Sequence, residues 1–103
     1  MIVQKVTVSS QTTSSPIIVD YKKNPCNVSI GCVVPSGTLT YKVQHTFDDV
    51  LDPTVTATWF DHSTITGKTA DQDGNYAFPV RAVRLNVTAW TSGSVSMTVI
   101  QAG

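Results

Sequence analysis

The segment TFDDVLDPTVTATWFDH, Thr46 to His62, holds Asp48, Asp49, Asp52 and Asp61, four of the seven carboxylates in a 103-residue chain, and ends on a histidine. Carboxylates grouped in this way could act as the acid and base of glycoside hydrolysis. A carboxylate beside a histidine could also orient a general base. The surroundings argue against both. Asp61 and His62 are adjacent, so on a strand their side chains leave from opposite faces and cannot pair. A serine nucleophile needs a base and an orienting acid in contact, and no serine lies in a G-x-S-x-G elbow. A domain this small has little room for a deep cleft that excludes water. His45 falls on the apolar side of its segment, where a histidine is expected to be a neutral core residue with one hydrogen-bond partner. The chain therefore reads as a non-enzyme.

Metal chemistry fares no better. Asp71, Asp73 and Asn75 in DQDGN alternate as calcium ligands do, but the glycine stands fourth rather than sixth, and the chain has no glutamate for the closing position. Asp-Gly is also a common turn pair, and a plain turn is the reading adopted. The two cysteines lie in PCNVSIGCVV. On one strand Cys26 and Cys32 share a face, about 20 Å apart. A disulfide needs about 7 Å or less. Both are expected to be free thiols in the core. His45 and His62 are the only histidines available to complete a metal site. No metal or other cofactor is expected.

The elements that must position these groups are strands. Ser, Thr and Val dominate, Glu is absent and Leu is scarce, a composition that favours strands over helices. Thr38 to Phe47 alternates most clearly, with Leu39, Tyr41, Val43, His45 and Phe47 on one face and Thr40, Lys42, Gln44 and Thr46 on the other. In the closing hairpin Val83, Leu85, Val87 and Ala89 point inward, as do Val95, Met97 and Val99 on the return. Ile2 to Ser9, Ile17 to Tyr21, Asn27 to Val34 and Thr56 to Phe60 supply further short strands, and PSG turns between two of them. The expected fold is all-β: one domain over residues 1–103, an antiparallel β-sandwich of seven to eight short strands, with the jelly roll as one form of it. Trp90 follows Ala89 and would face away from the core, as an anchor for a partner or a platform for a sugar ring, unless it folds over the sandwich edge.

The formal net charge is zero, so nothing draws the chain to phosphate backbones, and no nucleic-acid partner is expected. No apolar run approaches membrane-spanning length, and no membrane role is expected. MIVQKVTVSS lacks the basic start and apolar block of a secretory signal, which points to synthesis in a cytoplasm.

The blocks VQHTFDDV, ATWFDH, DGNYAFPVRAVRLNVTA and GSVSMTVIQAG, between Tyr41 and Gly103, together resemble small virion proteins of tailed bacteriophages. The closing hairpin alone is similar to the last strands of discoidin-like sugar-binding jelly rolls. The first resemblance implies a virion structural protein, most concretely a head decoration or cement protein that binds the outer shell and stabilises the assembled capsid. Major capsid protein or other virion proteins would be its partners, and it would act as a homo-oligomer. The alternatives are a neck, collar or fibre-associated virion protein, and a carbohydrate-binding module that contacts the host surface. The virion resemblance makes FDDVLDP a shaping loop and TWFDH a short strand feeding a surface turn. Asp48, Asp49, Leu51, Asp52, Trp59 and Trp90 are the expected partner-binding residues, with an apolar centre and a polar rim.

Overall fold

The computed structural model describes residues 2–19, 28–52, 54–76 and 80–101. Its strands are β1 (Ile2–Val8), β2 (Ile17–Ile18), β3 (Val28–Ser36), β4 (Leu39–Thr46), β5 (Trp59–Asp61), β6 (Gln72–Tyr76), β7 (Ala82–Trp90) and β8 (Ser94–Gln101). The described residues contain no helix. The strands form two four-stranded sheets, in the orders β1-β8-β3-β6 and β2-β7-β4-β5. All pairings are antiparallel. They are nested: first with eighth, second with seventh, third with sixth, fourth with fifth. A long hairpin rolled upon itself gives this order, which is the pattern of a jelly roll.

Alternation decides which side chains meet between the sheets. Val28, Ile30 and Cys32 on β3 and Val95, Met97 and Val99 on β8 point in from one sheet. Leu39, Tyr41 and Val43 on β4 and Val83, Leu85 and Val87 on β7 point in from the other. Each large aliphatic chain so buried is worth about 1.5–3 kcal/mol relative to exposure. Cys32 is a buried free thiol, and burial pushes it up to about 12. Cys26 lies outside the described residues.

Three local features depart from simple alternation. β4 ends at Thr46, so Phe47 leaves the sheet and stands 50 % exposed instead of joining the inner face. A bulge between β4 and β7 sets Thr40 opposite Ala89 but Tyr41 opposite Val87. Thr88 is the extra residue, and it reverses the phase of the last two residues of β7. Ala89 is therefore exposed rather than inward, and Trp90 pairs with the buried Leu39 while remaining 40 % exposed. Its indole N–H donates to the Gly93 carbonyl at 2.9 Å, so the ring folds over the end of the hairpin. The third departure is DQDGN, which is not a turn: it forms most of β6, paired along β3 from Val28↔Tyr76 to Cys32↔Gln72.

The β3–β4 and β7–β8 turns lie back to back. Gly37 and Gly93 have φ of 97° and 85°, and a Cβ on either would collide with the backbone of the other turn. Glycine is needed there both for conformation and for close approach. Along the second sheet the outer strands β2 and β5 are short, and loop backbone continues the pairing of the two central strands. Thr12 to Ser14 bonds to Leu85 and Val87 of β7, and residues 62–68 bond to Tyr41 and Val43 of β4.

Candidate functional site

The segment after β4 is shaped by its own aspartates. Thr46 Oγ1 donates to the Thr58 carbonyl at 2.8 Å and accepts the Asp48 N–H at 3.1 Å. Asp48 Oδ2 accepts the Thr58 N–H at 2.7 Å, which ties the two ends of the loop together. Asp49 Oδ1 accepts the Leu51 N–H at 3.1 Å, and Asp52 Oδ1 accepts both the N–H and the hydroxyl of Thr54, at 2.9 and 2.7 Å. These are turns in which a short carboxylate caps backbone two residues on. The bonds from Thr54 hold the Asp52 carboxyl below the usual carboxylate range. Asp49 also lies 3.7 Å from the Arg81 guanidinium. The aspartates expected to form a polar rim are thus engaged in building the loop.

The side chains that the loop leaves in solvent are apolar. Leu51 is 74 % exposed, Phe60 48 % and Val55 40 %, and Phe47 is exposed as well. Phe47 and Phe60 are in contact, with ring centroids 5.8 Å apart. Leu51 and Val50 border a pocket of about 150 Å³ that they share with Ile18, Val19, Asp49 and Arg81. The segment does not fold its large side chains back into the core, with one exception at its end. His62, expected on a surface turn, is buried. Its Nδ1 accepts the N–H groups of Thr64 and Ile65 at 3.0 and 3.1 Å. The ring proton therefore sits on Nε2, which donates to the Asn75 carbonyl at 3.0 Å. This histidine organises the 62–65 turn and holds it against β6.

His45 is buried as well, with Nδ1 2.8 Å from the Tyr76 hydroxyl. Burial lowers its pKa, and His62 adds to the lowering. Phe60 stacks on its outer side at 5.8 Å. Asp61 turns the other way, onto the outer face of the sheet. There its carboxylate accepts from the Gln44 amide at 3.0 Å and meets Lys42 Nζ at 3.2 Å. The Gln44 bond leads the lowering of the Asp61 pKa. Gln44 Oε1 in turn accepts from Arg84 Nε at 2.9 Å and from Asn86 Nδ2 at 3.3 Å, and the Arg84 guanidinium lies 4.2 Å over the Trp59 ring. Gln44 is only 7 % exposed although it faces outward, because these neighbours cover it.

None of these bonds joins a histidine to a carboxylate, and among the described residues no three His, Cys, Asp or Glu side chains could hold a metal ion. Asp71 does not join a cation loop either: its Oδ1 accepts the Val34 N–H at 2.8 Å. Of the six residues expected to bind a partner, Asp48, Asp49, Leu51 and Asp52 share one loop, and Trp59 lies beside it with one ring face under Arg84. Trp90 is apart from them. It pairs with Leu39, at the opposite end of β4 from Thr46, about 23 Å away along the strand. Phe47 and Ile18, which complete the apolar surface, were not expected there. The early end of β4 at Thr46 is the cause of the release of Phe47.

No family model matches this chain, and no curated protein matches it. Among solved structures it is similar to a chain from one described as "Bacillus endospore appendages form a novel family of disulfide-linked pili". The identity is 14 %, the TM-score 0.42, and the alignment covers 95 % of this chain and 84 % of that one. A likeness at that level carries no argument about function.

Proposed function

We propose that the protein is a non-enzymatic structural module that attaches to a larger protein assembly through the surface formed by Phe47, Leu51, Val55 and Phe60. One observation carries this reading. A loop whose backbone is fixed by three of its own aspartates leaves Phe47, Leu51 and Val55 exposed, with Phe60 exposed on the β5 strand that follows. Fixing the loop in advance lowers the entropy lost on docking. Apolar side chains at its crest supply the centre of an interface. The bacteriophage resemblance names the assembly: a virion, with the capsid surface as the leading site and the neck or fibre base as the alternative. On the capsid the protein would stabilise the shell by binding only its assembled state.

The carbohydrate reading draws less from the site. One face of Trp59 is already covered by Arg84, and the Trp90 N–H is taken by Gly93.

The test is reconstitution. Purified protein is added to virions that lack it, and occupancy is read by electron microscopy. Occupancy of hundreds of sites per head supports decoration, and about a dozen or fewer supports the neck or fibre. Leu51→Ser combined with Phe47→Ser should leave the fold intact, since both side chains are exposed, and should reduce occupancy by at least about tenfold. Full occupancy by the double variant would remove this surface from consideration.

A further inference from the structure

Gly31 stands in the middle of β3 without a reason among the described residues. Gly37, Gly67 and Gly93 take positive φ, and Gly74 is pressed against His62 and Ile65. Gly31 does neither: its φ is not positive, and a Cβ there would meet no described residue within 4 Å. Glycine weakens a strand interior and commonly marks a place where another molecule or backbone comes close. Here it leaves a groove of about 470 Å³ on the outer face of the β1-β8-β3-β6 sheet, lined among others by Ser29, Asp73 and Thr98.

The register sets out that face in rows across the strands. The central row reads Lys5, Thr98, Gly31, Asp73 from β1 to β6. On one side of it Ile100 lies next to Ser29, and on the other Ser96 lies next to Val33. Large and small residues thus alternate between β8 and β3, and opposite charges stand at the two edges. Neither Lys5 nor Asp73 makes an ion pair with a described residue.

We infer that this face binds a second copy of the chain, about a two-fold axis that runs along the strands between β8 and β3. That rotation lays β1 of one copy over β6 of the other and β8 over β3, and it keeps each row in place. Lys5 then faces Asp73 of the second copy, twice by symmetry. Thr98 enters the space above Gly31, Ile100 faces Ser29, and Val33 faces Ser96, so between β8 and β3 each larger side chain meets a smaller one, while Val3 faces Asn75 at the edge. A two-fold axis across the strands would instead set Lys5 on Lys5 and leave Gly31 over Gly31. Charge and size both select the first arrangement. Sheets stacked face to face in this way are an ordinary packing, at an angle of about 30°. The face measures about 19 by 20 Å, or roughly 400 Å² per copy. That is about half of a standard interface, so the dimer is reversible and depends on concentration. None of its residues belongs to the 47–60 loop, and the inference stands or falls independently of the virion reading.

Sedimentation of the full chain from about 10 μM to about 1 mM tests it. The native protein should pass from monomer to dimer over this range, and added salt should shift the transition upward. Gly31→Val should fold, since its side chain meets open space, and should raise the dissociation constant at least about tenfold by filling the groove. Lys5→Asp and Asp73→Lys should each weaken association comparably, and the double exchange should restore it, because the pairs form again with their signs reversed. A protein that stays monomeric throughout overturns the inference. So does a dimer indifferent to Gly31→Val, or one that the double exchange fails to rescue. Should Gly31→Val not fold, the charge exchanges at exposed positions decide the matter alone.

Discussion

The Tyr76 hydroxyl lies 2.8 Å from His45 Nδ1, and the tyrosine ring stands edge-on to the imidazole at a centroid distance of 4.8 Å. The Tyr76 ring also stands edge-on to the His62 ring, again at a centroid distance of 4.8 Å. This aromatic group joins β4, β6 and the turn after β5, and so links the two sheets at the end that carries the exposed loop. Burial raises the Tyr76 pKa as it lowers that of His45, so both rings are held uncharged.

A pH dependence arises from His45. Its folded pKa lies below its unfolded value, so the unfolded chain binds more protons as the pH falls. The stabilisation is complete above the ordinary histidine value of about 6.5 and is lost as the pH falls from there through the folded value. Thermal unfolding measured from about pH 8 to pH 5 should show a declining melting temperature. His45→Gln, whose amide can still pair with Tyr76, should flatten the slope. An unchanged slope in that variant would assign the dependence to other groups.

Asp48 should matter more to the loop than its exposure implies. Asp48→Ala removes the acceptor for the Thr58 N–H and a cap on Thr46, at a cost of about 1–2 kcal/mol. Hydrogen exchange should show the Thr58 amide losing protection while amides of the β3–β8 ladder keep theirs. Equal loss at both places would mean that the loop and the sandwich open as one unit.

Two mid-strand glycines should respond with opposite signs. A Cβ at Gly74 would lie 3.0 Å from both His62 Cε1 and Ile65 Cδ1, and the His62 ring is fixed by its hydrogen bonds. Gly74→Ala should therefore destabilise by about 1–3 kcal/mol. Gly31→Ala meets open space and should stabilise the monomer by about 0.5–1 kcal/mol. Urea unfolding at a concentration where the protein is monomeric compares them directly. A destabilised Gly31→Ala would reveal a constraint within the chain.

Cys32 should be inert in the folded protein. Its thiol is buried and pushed up to about 12, so thiolate is scarce at neutral pH. Labelling by a thiol reagent at pH 8 should track unfolding in urea, and Cys32→Ala should cost roughly 1–2 kcal/mol through lost packing. Fast stoichiometric labelling of Cys32 in native buffer would contradict the burial.

The sequence by itself determined the class of fold and most of the core. Alternation is a local property, readable wherever one face of a strand is buried, and Leu39, Tyr41, Val43, Leu85, Val87, Met97 and Val99 all lie where it places them. It also placed His45 on the inner side and Leu51 outside. The tertiary structure alone decided the features that depend on contacts between distant residues. The bulge at Thr88 that turns Ala89 outward is a mismatch between two strands, and neither strand shows it alone. DQDGN has the composition of a turn, yet it forms β6 because β3 offers it a ladder and Gly74 lets His62 approach. His62 is buried because two backbone N–H groups and a carbonyl from β6 surround its ring, which no spacing in TWFDH signals. Propensity and periodicity act over a few residues, whereas register, edge and burial at the ends of strands are fixed by partners that the fold brings from tens of residues away.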